Sequence, residues 1–265
     1  MYCCLSMLIK FDLDETIKQI KKIIKFVFEQ KIESKRIYKD MRSSIFVILS
    51  IIALASATQY VPIPNKPDGV GFGYVNATLT IDAWYDLTCP DSLYTYQELL
   101  TALNNQTIAA YVSQIRVNYH IMPLPYHYNA FYLAQVFKYV LDVKGTEAAL
   151  VFVDQIFENQ PLYYNAFNLT TTQIYQLIAD NTSQYLSAYN VTSQDVLDSF
   201  NDYDYNGGAR ASYKLGSGLT VTGTPTMFAN DAFVNDGQDL NANGWVDLIL
   251  SVFDPQPDDE LISSY

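Results

Sequence analysis

The chain has 265 residues, 49% of them hydrophobic and 14% aromatic, with 16 Lys+Arg against 28 Asp+Glu and a net charge of −12. Such a composition buries a large core and excludes a disordered chain. The charge is divided: residues 1–57 carry ten basic and six acidic residues, whereas residues 58–265 carry six basic and 22 acidic ones, a net −16 that excludes nucleic-acid binding by the main body.

Residues 1–40 read as an extension ahead of the true start, or as a disordered or helical leader. Met41–Ala57 then reads as a secretory signal peptide. Arg42 supplies the positive end, Ser44–Leu54 the short apolar run, and Ala55-Ser56-Ala57 the small-residue cleavage site. The apolar run is short for a membrane span, which needs about 20 residues. The alternative is a signal anchor with its basic flank in the cytosol, giving a type II membrane protein. With the leader cleaved, no membrane contact is expected. Cys3 and Cys4 fall in the leader, so Cys89 stands alone in the mature chain. One cysteine makes neither an internal disulfide nor a cysteine-based zinc site.

Five Asn-x-Ser/Thr acceptors, at Asn76, Asn105, Asn168, Asn181 and Asn190, agree with a glycosylated chain in the secretory pathway, either secreted or held in an endomembrane lumen. The C-terminus is neither an ER-retention signal nor an apolar lipid-anchor tail.

Residues 58–75 are rich in Pro and Gly and read as an extended lead-in. Gly69, Gly71 and Gly73 do not precede a helix, so they are no phosphate loop. Thr78–Leu87 alternates polar and apolar residues and reads as a strand. A turn at Thr88-Cys89-Pro90 leads to a helix over Ser92–Leu103, and Ile115–Met122 reads as a second strand. Helical spacing or good N-caps then mark Tyr126–Val143, Thr146–Glu158, Thr171–Ala179 and Ser193–Phe200, with a short helix at Arg210–Leu215. Thr224–Ala229 and Ala232–Val234 read as a hairpin, and Trp245–Val252 as a last amphipathic helix. The order is β-α-β, a helical block, then β-β-α.

Two local motifs carry chemistry. In Ala83-Trp84-Tyr85-Asp86-Leu87-Thr88-Cys89-Pro90-Asp91-Ser92 the cysteine falls just before a helix, where free backbone N–H groups and the helix dipole stabilise a thiolate. Pro90 is tolerated in the first turn because the N–H that proline lacks would have no intrahelical partner there. In Val221-Thr222-Gly223-Thr224-Pro225 a proline opens a strand, as a cis turn facing a thiol would.

Together these resemble the thioredoxin superfamily, and its DsbA-like branch in particular. That branch has a Cys-Pro-x-Cys motif, an inserted helical domain and a cis-Pro loop. Pro123-Leu124-Pro125-Tyr126-His127 is similar to the segment that leads such proteins into the helical insert. The resemblance covers roughly residues 75–255. It implies an α/β thioredoxin-like fold with an inserted helical subdomain. Residues 76–125 would form the first half of the thioredoxin-like domain, 126–215 the helical insertion and 216–265 the second half.

The resemblance also implies site residues: Cys89 as an attacking thiol with Ser92 and Pro225 beside it, and Pro90, Gly223 and Thr224 shaping a substrate groove. The chain departs from the pattern at Ser92, which replaces the resolving cysteine. A dithiol oxidase needs that second thiol for intramolecular exchange. What remains is monothiol exchange on a polypeptide or a small thiol or disulfide, with glutathione as a conceivable co-substrate and no resident cofactor. Ser92 is placed to donate a hydrogen bond to the thiolate, while the negative charges of Asp86 and Asp91 oppose it. The alternatives are a redox-inactive polypeptide-binding or chaperone-like module on the same fold, and a kappa-class glutathione transferase or isomerase. Those transferases use a Ser where Cys89 stands, and a −16 domain repels anionic glutathione.

His120 and His127 read as structural residues without carboxylate neighbours in sequence, and no metal site is expected. The Asp/Asn/Gly runs beginning at Asp202 and Asp239 lack the Glu that closes a calcium loop and read as helix caps. Most of the 22 tyrosines read as core or interface residues with the hydroxyl turned outward, some of them lining a groove beside the proline loop.

Overall fold

A computed structural model describes residues 13–29, 63 and 66–254. The signal peptide read over 41–57 lies outside the described residues. The chain divides into two units, 1–60 and 61–265. In the first, Leu13–Glu29 form helix α1, with lysines 18, 21, 22 and 25 exposed. Among the described residues no helix is long and apolar enough to cross a membrane.

In the second unit the sheet is built outward from Leu79–Tyr85 (β2). Its alternation buries Leu79, Ile81 and Ala83 against one face, and its last two residues, Trp84 and Tyr85, are both buried. Burial on both faces marks a central strand. Ile115–Ile121 (β3) runs parallel to β2, pairing Leu79 with Ile115 and Tyr85 with Ile121. The crossover between them is the helix Pro90–Leu103 (α2). On the other side Thr226–Ala229 (β4) runs antiparallel to β2, with Trp84 opposite Thr226. Ala232–Phe233 (β5) closes that edge.

The fifth strand, Val70–Gly73 (β1), lies within the stretch read as an extended lead-in, where no strand was expected. It pairs antiparallel with β3, Val70 opposite Tyr119, and completes the order β1-β3-β2-β4-β5. Gly69 has φ +83° and packs against the carbonyl of Tyr119, so a side chain there meets backbone.

Between β3 and β4 the regular elements are all helical. Ala130–Lys144 (α3), Thr146–Glu158 (α4), Pro161–Tyr164 (α5), Thr171–Tyr185 (α6), Ser193–Ser199 (α7) and Tyr203–Gly218 (α8) form the insert. Thr170 and Thr192 open α6 and α7 with reciprocal capping boxes, and Asp202 caps α8. Ala242–Phe253 (α9), capped by Asn241, packs against α2. Both Asx/Gly runs are therefore helix starts, and among the described residues no acidic or histidine group is arranged to hold a metal.

The main core joins the sheet to α2, α9 and the insert through Tyr85, Tyr96, Tyr119 and Phe157, whose rings lie 4.7–6.1 Å apart. A second cluster, Trp84, Met122 and Val221, fills the other face. There a Cβ on Gly216 would lie 2.8 Å from both Trp84 and Met122, so α8 approaches the sheet only because glycine stands at that position. The expectation that tyrosine hydroxyls turn outward fails at Tyr85 and Tyr119. Both hydroxyls are buried without a partner, and burial holds both phenols well above the ordinary range.

Candidate active site

The register of β2 brings the two motifs together. Trp84 pairs with Thr226, so the loop before β4 sits beside the turn after β2. Cys89 occupies the N-cap of α2 with extended backbone (φ −78°, ψ 122°), and its carbonyl accepts from the N–H of Leu93. Its Sγ lies 3.2 Å from the carbonyl oxygen of Thr224. The Thr224–Pro225 peptide bond is cis, and Pro225 is buried. The Thr226 hydroxyl donates to the Gly223 carbonyl at 2.8 Å and fixes the loop from its far side. Cys89 as a residue is 4% exposed.

The turn is held by contacts that the sequence did not bring into view. Asp86 is fully buried. Its Oδ1 accepts from the N–H and the hydroxyl of Thr88, both at 2.7 Å. Its Oδ2 accepts from the N–H of Leu124 at 2.7 Å and faces His127 Nδ1 at 2.9 Å. A carboxylate oxygen is an acceptor only, so this contact is a hydrogen bond in the tautomer that carries the proton on Nδ1. The charge of Asp86 is thus committed to the turn and to the segment leaving β3. From the insert, Gln160 donates through Nε2 to the carbonyls of Leu87 (3.1 Å) and Cys89 (2.9 Å).

Ser92 is fully buried, and its Oγ accepts from the N–H of Asp86 at 3.3 Å. No hydrogen bond joins Ser92 to Cys89, so the expected contact with the sulfur is not made. Pro90 is exposed at the first turn of α2.

Two clefts flank the turn. One, of about 790 Å³, is lined by Gly223, Thr224 and Pro225 together with Asp91, Tyr94, Phe233 and Asp239. Thr224 Oγ1 is buried there without a hydrogen-bond partner. The other, of about 260 Å³, lies by Thr88 and His127 and is walled by Tyr126, Tyr164 and Phe167.

His120 does have carboxylate neighbours. It stacks on Trp84 (4.3 Å, 13°) and bridges two acids, Nδ1 to Asp68 at 3.2 Å and Nε2 to Asp82 at 3.1 Å. Lys138 (2.6 Å) and Ser212 also bond Asp68, tying β2 and β3 to α3 and α8. Burial raises the Asp68 carboxyl, but hydrogen bonds from His120, Lys138 and Ser212 and the charge of Lys138 outweigh it and hold the group well below the usual carboxylate range. Asp82 is lowered in the same way: burial opposes the shift, and His120, Asn118 and the charge of Arg116 prevail. Burial pulls His120 down, and the two aspartates lift it above its ordinary value.

A family model described as thioredoxin matches residues 65–247. The chain belongs to the thioredoxin family. Its fold is of the DsbA-like kind. Oxidised BdbD from Bacillus subtilis superposes with a TM-score of 0.55 at 14% identity, covering 70% of this chain and 98% of that one. A double cysteine-to-alanine variant of alpha-DsbA1 from Wolbachia pipientis superposes with a TM-score of 0.53 at 16% identity, covering 73% and 92%. No curated protein matches the sequence. Within this thioredoxin-family fold the cysteine turn and the cis-proline loop meet beyond the end of β2.

Of the residues singled out from sequence, Cys89, Thr224, Gly223 and Pro225 are brought together, Pro90 borders them, and Ser92 faces inward. Asn76, Asn168 and Asn190 are exposed. Asn105 is half-buried, its Oδ1 capping the short helical turn Gln106–Ile108, and Asn181 is half-buried with Nδ2 on the Tyr163 hydroxyl.

Proposed function

We propose that the protein is a glycosylated secretory-pathway member of the thioredoxin family that exchanges thiols and disulfides through Cys89 alone. The observation that carries this reading is Cys89 Sγ at 3.2 Å from the carbonyl of Thr224, at the first turn of α2 and beside cis-Pro225. The Cys89 thiolate attacks one sulfur of a substrate disulfide. A Cys89–S–S–substrate bond forms, and the other substrate sulfur leaves as a thiolate. An external thiol, glutathione or a protein cysteine, then attacks the substrate sulfur, forms a new disulfide with it and releases Cys89 as thiolate. Electrons balance with no resident cofactor. Polypeptide is the fitting substrate, because the N–H groups of Thr222 and Thr224 make no backbone hydrogen bond and are free to pair with an extended segment. Asn76, Asn168 and Asn190 are the acceptors best exposed for glycans.

Incubating the secreted protein with a peptide disulfide and resolving the product on a non-reducing gel tests the reading. An adduct on wild type that is absent from Cys89→Ala is expected. No adduct, or an equal one on the variant, refutes it.

The second reading is a redox-inactive binding module. The 4% exposure of Cys89 and the inward Ser92 favour it. It expects polypeptide binding that Cys89→Ala leaves unchanged.

A further inference from the structure

We infer that the cleft beside the proline loop selects substrates by charge, and that it takes extended polypeptide with lysine or arginine next to the reacting cysteine. The inference rests on the reading of Cys89 as an attacking thiol and names the substrate class of that same site.

Three observations converge. The cleft, about 790 Å³, is the concave surface adjoining Thr224 and Pro225, so a substrate sulfur at Cys89 brings its flanking residues into it. Asp91 and Asp239 stand on its walls, and among the described residues no lysine or arginine lines it. The Asp91 side chain makes no ion pair or hydrogen bond, and Asp239 meets only Gln238 at 3.3 Å. Acids without a basic partner in a concave wall focus a negative potential and favour a cation there. Next, Tyr94 and Phe233, 43% and 59% exposed, give the same cleft apolar faces that fit the methylene stems of long basic side chains or stack a guanidinium. Residues 58–265 carry −16, which steers cations toward this surface from a distance.

Two peptides provide the test, identical except for lysine or glutamate on either side of a cysteine activated as its thiopyridyl disulfide. Cys89 attacks the peptide sulfur and expels thiopyridone, whose absorbance reports the rate. At low salt the lysine peptide should react about tenfold faster, and the ratio should fall toward one as salt screens it. Asp91→Asn with Asp239→Asn should remove most of the preference. Glu147→Gln, a neutralisation on the exposed start of α4, should leave it intact. Equal rates for the two peptides overturn the inference. So does a preference that survives the double variant, because overall charge then explains it. Anisotropy with the same peptides carrying serine for cysteine separates the two readings. Tighter binding of the lysine peptide without any Cys89-dependent reaction sinks the thiol reading and keeps the charge selection. Equal binding sinks the charge selection, whatever the thiol does.

Discussion

Asp86 Oδ2 lies 2.9 Å from Nδ1 of His127, across 41 residues of sequence. The same carboxyl holds Thr88, one residue before Cys89, and Leu124, at the exit of β3. One buried acid therefore sets both the turn that presents the thiol and the segment that leads into the helical insert. Asp86→Ala strips acceptors from two backbone N–H groups, a hydroxyl and an imidazole at once. Buried donors left unpaired cost about 1–3 kcal/mol each before relaxation, so a loss of about 3–5 kcal/mol is expected. Asp86→Asn keeps one acceptor oxygen and should lose clearly less. Urea unfolding of both variants measures the difference, and a loss below about 1 kcal/mol for Asp86→Ala would contradict this role.

The Asp68–His120–Asp82 bridge makes stability depend on pH in a stated direction. His120 is raised in the folded state, so its contribution is complete below the unfolded value of about 6.5 and is lost as pH rises through the folded value. Asp68 and Asp82 are lowered, so theirs is complete above the unfolded value of about 3.9 and is lost as pH falls. Lys138, Ser212 and Arg116 face the same acids and favour their charged forms. The cluster is therefore strongest between about pH 4 and 6.5. Denaturation midpoints followed from acid to alkaline pH should decline on the alkaline side in wild type, and more shallowly in His120→Gln. At about pH 6, His120→Ala should cost about 3 kcal/mol, because it leaves two half-buried carboxylates facing each other. Parallel pH profiles for wild type and His120→Gln would refute the assignment.

What the sequence made legible is local. Cys89 before a helix, the proline opening β4 and the alternation of β2 are patterns within short stretches of chain, and the structure places them as read. What stayed hidden joins distant segments. His120 meets Asp68 and Asp82 across 52 and 38 residues, and no spacing rule connects them. β1 was hidden for another reason: two of its four residues are glycine, which has little strand preference of its own, and pairing with β3 makes the strand. Helix α8 runs over Tyr203–Gly218, well beyond the expected Arg210–Leu215, because Gly207 and Gly208 mask its start. Packing of Gly208 against Lys138 and of Gly216 against Trp84 and Met122 rewards those glycines in place.

Gln160 links the insert to the thiol. Its amide bonds two carbonyls of the cysteine turn, of Leu87 and of Cys89 itself, from 73 and 71 residues away. Gln160→Ala should cost about 1–2 kcal/mol in stability. It should also loosen the turn, so that alkylation of Cys89 in the folded protein speeds up several-fold while the unfolded rate is unchanged. Mass spectrometry after timed iodoacetamide labelling measures both. Gln160→Glu, which keeps the shape but turns an acceptor toward two carbonyls, should be at least as disruptive. Labelling rates equal to wild type in both variants would show that the insert does not restrain the turn.

Ser92→Cys asks whether the missing second thiol is all that separates this site from a dithiol. Position 92 lies in the first turn of α2, three residues after Cys89, and its side chain is fully buried. The Ser92 hydroxyl accepts from the N–H of Asp86, and sulfur is a weaker acceptor, so the reduced variant should lose about 1 kcal/mol. Oxidation closes a very short loop, and the chain-entropy gain from so short a loop is small. The bond should therefore be readily reduced, as in an exchange catalyst rather than a structural staple. In glutathione buffers the variant should interconvert between a dithiol and a form lighter by two hydrogens, whereas wild type should yield only a glutathione adduct. Reduction of one equivalent of peptide disulfide by the reduced variant without added external thiol, leaving the variant as its internal disulfide, would show that the rest of the site is already arranged for exchange. If Ser92→Cys oxidises only between molecules, the introduced thiol does not converge on Cys89, and the inward serine belongs to the Asp86 network instead.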